Sequence, residues 1–105
     1  MKHTEFKKLL QATFGRMVVL TDSKGVEYAN DKDQLANFKR LARTLGMTPE
    51  AVCYVYLQKH LDSIQHHIAH PGRKAAEPIT GRIDDAMLYL ALLKAIVVEH
   101  EGKSR

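Results

Sequence analysis

Apolar residues recur at three- and four-residue steps through most of the chain, the spacing that lines one face of an α-helix. Phe6, Leu9, Leu10, Phe14, Met17 and Val18 predict a first helix over about 4–22, closed by Ser23-Lys24-Gly25, with the glycine free to take the left-handed conformation that follows a last turn. A polar, aperiodic stretch follows from Glu27 to Asp33, with Asn and Asp positioned to cap what comes next. Leu35, Phe38, Leu41, Ala42 and Leu45 predict a second helix over about 33–45 that stops at Gly46. Thr48-Pro49 then supplies an N-cap and a first-turn proline for a third helix over about 49–69, with Val52, Val55, Tyr56, Leu61, Ile64 and Ile68 as its apolar stripe. His70-Pro71-Gly72 ends it, and Glu77-Pro78 starts a fourth helix over about 78–99. The pattern therefore predicts an all-α, four-helix bundle-like fold, a single helical domain over residues 1–105.

The fourth helix departs from the amphipathic rule. Every residue from Ala86 to Val98 except Lys94 is apolar, and a helix apolar on nearly all sides belongs at the centre of a bundle or in a subunit interface. Three other helices cover one rod only in part, so the expectation is a homo-oligomer joined through the C-terminal helix. The run is too short to span a membrane, which takes about 20 apolar residues, and no signal-peptide core follows Met1-Lys2-His3-Thr4-Glu5. The reading is a cytoplasmic chain with no membrane partner.

Composition changes this picture little. With 45% hydrophobic and 27% charged residues among 105, the chain is neither disordered nor fibrous. The 16 Lys plus Arg outnumber the 12 Asp plus Glu, leaving a formal charge of +4 that mildly favours anionic ligands. The one cysteine, Cys53, rules out an internal disulfide and sits in an apolar segment where packing is its expected role.

Candidate chemistry lies on the third and fourth helices. Lys59, Ser63 and His67 follow at steps of four with Tyr56 and His60 alongside; a point charge, a hydroxyl and an imidazole together suit a phosphate, or else form an ordinary solvated face. Arg82, Asp85 and Tyr89 form one polar strip at the head of the apolar fourth helix, where a buried charge must be paired or used and a buried phenol needs a partner. His66 and His70 stand one turn apart with His67 or Asp62 nearby, but no cysteine joins them and a helix C-terminus accounts for cationic histidines without metal, so no metal ligand is assigned. The Leu41-to-Val52 stretch has helix-turn-helix spacing, yet Glu50, Ala51, Val52, Cys53 and Val55 offer base edges one acid and apolar groups, which disfavours nucleic acid as a partner.

As a set, Lys24-Gly25-x-Glu27-Tyr28-Ala29, Asp33, Asn37-Phe38, Lys59-His60, Ser63-Ile64, Ile83-x-Asp85, Tyr89-Leu90 and Leu92-Leu93-Lys94-Ala95 resemble a family of small all-α bacteriophage proteins, over roughly residues 20–99. That family is distantly similar to phage nucleotide-modification-associated helical domains and to all-α pyrophosphohydrolases of the MazG type. The hydrolases hold magnesium on an ExxE and an ExxD, because a hard cation needs several oxygens. Here Lys59, His60 and Ser63 stand where the ExxE belongs, and Arg82 takes the place of the Glu before Asp85. An arginine in place of an acid turns a metal site toward direct phosphate binding.

The resemblance thus implies a phage protein of the host cytoplasm that binds a phosphorylated nucleotide, in the manner of a sponge for a nucleotide immune signal, with no catalytic residue and no cofactor. Lys59, His60 and Arg82 are expected at phosphate, with Ser63 as hydroxyl donor, Tyr28 or Tyr89 at the base, and Asn37 and Asp85 at ribose or base edges. The alternative is a magnesium-dependent nucleotide pyrophosphohydrolase built on Glu27, Asp33, Asp84 and Asp85; a helix-turn-helix DNA-binding protein comes third.

Overall fold

The computed structural model describes the backbone of residues 1–28, 33–73 and 77–104, with side chains for 1–22, 33–73 and 77–102. Four helices follow one another: α1 (His3–Tyr28), α2 (Ala36–Leu45), α3 (Pro49–Ala69) and α4 (Ile79–Ser104). The described residues contain no strand element, so the architecture is an all-α bundle. None of these helices is long and apolar enough to cross a membrane.

The punctuation between α2 and α3 works as its residues dictate. Gly46 adopts φ 65°, ψ 36°, and its N–H returns to the Ala42 carbonyl, a left-handed C-cap that other residues enter only with strain. Two residues on, the Thr48 hydroxyl accepts from the Ala51 N–H at 3.1 Å, and Pro49 fills the first turn. Ahead of α2, the Asp33 carboxylate accepts from the Leu35 N–H at 2.9 Å, which shapes the turn into the helix; the N-cap position itself is Leu35, with no side-chain cap, so the capping expected from the polar stretch is not what starts α2. Helix α2 itself begins at Ala36, three residues later than expected.

Helix α3 keeps its expected bounds, whereas the C-terminal ends of α1 and α4 differ from expectation. Helix α1 continues through Ser23-Lys24-Gly25 to Tyr28, and α4 continues through Gly102 to Ser104. A single glycine in a helix costs about 1 kcal/mol, which neighbouring turns absorb; it ends a helix only where the chain must also turn, as at Gly46.

The core lies where α2, α3 and α4 meet, in a cluster of Leu35, Phe38, Ala42, Val52, Cys53 and Ile96, with Leu41, Tyr89, Leu92 and Leu93 packed against it. The α3–α4 pair is antiparallel: Glu50 meets His100, Cys53 meets the Tyr89 carbonyl and Ser63 meets Arg82. Lys39 of α2 ties these elements together, its ammonium 2.6 Å from both Asp33 and Glu99. These two acceptors, Asp33 foremost, hold its pKa above the ordinary lysine value.

The apolar stripe expected on α3 is corrected in register. Val52 is buried, but Val55, Tyr56, Leu61 and Ile68 are exposed, while Cys53 and Leu57 take the inward positions. Residues 51–57 are apolar or aromatic throughout, so the helix has no polar side there to orient it, and the positions of α2 and α4 decide which residues face inward. Helix α4 is covered on the α3 side and partly by α1, leaving Leu90, Val97 and Val98 exposed.

Candidate functional site

Helix α3 presents Tyr56, His60 and Ser63 at steps of four and three, and α4 presents Arg82, Asp85 and Tyr89 at steps of three and four. Each set therefore occupies one face of its own helix. Because the two helices run antiparallel, Ser63 comes to Arg82 at one end and His60 and Tyr56 come to Tyr89 at the other.

Four rings make the upper part of this site. Tyr56 stacks on Tyr89 with centroids 6.0 Å apart and planes at 21°, and the His60 ring lies 5.0 Å from Tyr89 at 30°. Phe38 of α2 meets both tyrosines edge-on, 6.1 Å from Tyr56 and 6.5 Å from Tyr89, the arrangement the ring quadrupole favours. Beside the rings opens a cleft of about 100 Å³, lined by Asn37, Phe38, Tyr56, Asp85 and Tyr89 with aliphatic neighbours from α2 and α4. Thr21 of α1 and Gln34 complete its rim. Asn37 turns its carbonyl oxygen to Arg40 at 2.9 Å, so the amide nitrogen is its remaining donor.

Below the rings, Arg82 donates through Nη1 to the Ser63 hydroxyl. Its Nε is buried and has no hydrogen-bond partner among the described residues. A buried guanidinium N–H without an acceptor costs on the order of 1–3 kcal/mol, and an anion arriving at Arg82 would relieve that cost. Ser63, which accepts from Arg82, keeps its own O–H for donation.

The expected residues thus divide into groups. Asn37, His60, Ser63, Arg82, Asp85 and Tyr89 come together along the α2–α3–α4 seam. Lys59 is exposed and outside the cleft lining, on the solvent side of α3. The Tyr28 backbone closes α1, while its side chain, like that of Glu27, lies outside the described residues. Tyr56, which stands beside the Lys59–Ser63 face in the sequence but carries no assigned ligand role there, and Phe38, expected only as an apolar position of α2, both line the cleft.

Of the carboxylates in the hydrolase reading, Asp84 pairs with Arg16 of α1 at 3.3 Å and Asp33 pairs with Lys39; the Glu27 side chain lies outside the described residues. Among the described residues no three His, Cys, Asp or Glu side chains stand close enough to share a metal ion. The His66 and His70 rings are 4.4 Å apart, but the His70 Nδ1 engages the His66 carbonyl at 3.0 Å. Cys53 is fully buried, and desolvation pushes its thiol up to about 11, which removes it as a nucleophile.

Comparison of the chain with protein-family models, with curated proteins and with solved structures finds no match.

Proposed function

We propose that this chain is a phage-encoded protein that binds a phosphorylated nucleotide and holds it without transforming it, sequestering a nucleotide immune signal of the host. The observation that carries this reading is Arg82, a half-buried cation that spends one donor on Ser63 and leaves Nε unpartnered, one turn from a cleft walled by aromatic rings. An arginine fork with a hydroxyl beside it matches phosphate geometry, and π faces accept any base.

A cleft of about 100 Å³ admits a ring but not a whole nucleotide, since sites that bury such ligands run to roughly 300–1,000 Å³. The base therefore enters beside Tyr56 and Tyr89, where Asn37 and Asp85 meet its edge or the ribose, and the phosphate remains outside toward Arg82, Ser63 and His60. Lys59 adds charge from the solvent side. Coverage of the exposed part of the ligand suits an oligomeric pocket.

Calorimetry with cyclic and linear nucleotides, followed by chromatography of the ligand after incubation with and without magnesium, tests this reading. Tight binding with intact ligand is the expected result; magnesium-dependent conversion would instead establish the pyrophosphohydrolase alternative. Arg82→Ala should weaken binding by roughly 10- to 100-fold, the loss of a charged hydrogen bond, while far-ultraviolet circular dichroism stays unchanged. Nucleotide affinity equal to the parent's would remove Arg82 from the site.

A further inference from the structure

Among the described residues, the first half of α1 is left uncovered by the other helices. Phe6, Leu9, Leu10 and Phe14 are 52%, 46%, 36% and 51% exposed, and every side chain from Met1 to Ala12 is exposed. The main contact of α1 is with α4, through the stretch around Met17 and the Arg16–Asp84 ion pair. Residues 3–14 are therefore a helical arm with an apolar side facing water, and large apolar patches on a folded chain mark contacts.

The same molecule carries a groove that fits such an arm. Between the second half of α1 and the start of α4 lies a hollow of about 560 Å³, lined by Gly15, Arg16 and Val19 on the α1 side and by Glu77, Pro78, Gly81, Asp84 and Asp85 on the other. Its two glycines leave room for a helix backbone to approach, and a Cβ placed on Gly15 would meet nothing within 4 Å. The charges also correspond: two lysines, Lys7 and Lys8, stand on the arm against one acid, Glu5, whereas the groove holds Glu77 and Asp85 besides the Arg16–Asp84 pair.

We propose that the α1 arm of one copy docks into the α1–α4 groove of a second copy, reciprocally, in a twofold dimer. A twofold axis crossing α1 near Ala12 runs the two first helices antiparallel, so each arm lies along the groove of the other. Phe6 and Leu10 then rest over Val19, Pro78 and Gly81 of the second copy, and Lys7 and Lys8 reach its Glu77. Half-exposed aromatic side chains present about 100 Å² each, so two arms with the groove walls they cover reach on the order of the 1,000 Å² that a specific interface requires. This placement differs from the expectation that oligomers form through α4, because the larger unpartnered surface belongs to α1. It does not depend on the identity of any ligand.

Light scattering and sedimentation of the full chain at micromolar concentration should give the mass of a dimer or a multiple of it. Gly15→Leu is the decisive variant: it replaces a helix-weakening residue in open space, so the single copy should keep or gain helicity, while its side chain projects from the α1 wall into the groove and the dimer dissociation constant rises roughly 100-fold. Phe6→Glu with Phe14→Glu should give the same release of single copies. Glu77→Lys should weaken association, and adding Lys7→Glu and Lys8→Glu should restore part of it. A wild-type chain that is a single copy at these concentrations overturns the proposal. So does an unchanged mass in Gly15→Leu and the double Phe variant, or an assembly that falls apart only with Leu90→Arg on α4.

Discussion

Helices α3 and α1 both repeat apolar residues at the helical step, yet α3 buries Val52, Cys53 and Leu57, while α1 buries only Thr13 and Met17 among its described side chains. The difference lies in what each has beside it. Helix α3 is joined to α2 by the tight Gly46 turn and runs antiparallel to α4, so it is covered from two directions. Helix α1 lies mainly against α4, and the side chains of its first half up to Ala12 are all exposed. Apolar spacing thus decides that a segment becomes a helix, whereas burial depends on the supply of neighbours, and the two need not agree within one chain.

The sharpest break in this comparison is a matched pair of truncations. Phe38→Ala, in the core and edge-on to both tyrosines, should cost about 3–5 kcal/mol in urea unfolding and disturb the cleft. Phe14→Ala, at protein dilutions where copies are separate, should cost less than about 0.5 kcal/mol. Equal losses would mean that α1 is packed as tightly as α2 and would end the distinction.

Alkaline unfolding sharpens it from the other side. The folded pKa of Cys53 is raised from 9.0 to about 11, so the unfolded chain releases this proton first, and the stability present below pH 9 drains away as pH climbs toward 11. At full effect this amounts to about 3 kcal/mol. Lys39, also raised, acts with the same sign as its pairs with Asp33 and Glu99 are lost. Urea midpoints measured from pH 7 to pH 10 should fall, and the slope should flatten in Cys53→Ala; a slope indifferent to that substitution would remove the thiol from the account.

Smaller still is the α2–α3 turn, where Gly46→Ala forces a side chain into the left-handed region and should cost about 1 kcal/mol. At the least sensitive end, Arg16→Ala breaks an ion pair whose arginine is 52% exposed and should change stability by less than about 0.5 kcal/mol.

Four helices, the Gly46 stop and the Thr48-Pro49 start were legible from residue order, because each depends on groups within a few positions along the chain. The strip of Arg82, Asp85 and Tyr89 was legible for the same reason, its members sharing one helix face. The inward face of α3 was not, since Ala51 to Leu57 offers apolar or aromatic side chains in every direction and only neighbouring helices select among them. Nor could the helix breaks be separated by residue type: Gly25 and Gly102 lie inside helices and Gly46 ends one.

Local spacing alone determined the helical segments of this protein and the chemistry that each helix face carries. Tertiary structure decided which faces meet. Ser63 and Arg82 are 19 residues apart in sequence, and the ring contacts of Tyr56 and His60 with Tyr89 join positions more remote still, so these contacts exist only once α3 and α4 have packed antiparallel. The physical reason is range: hydrogen bonds, caps and helical periodicity act over a few residues, whereas a site assembled across two helices depends on the register in which their apolar surfaces leave water.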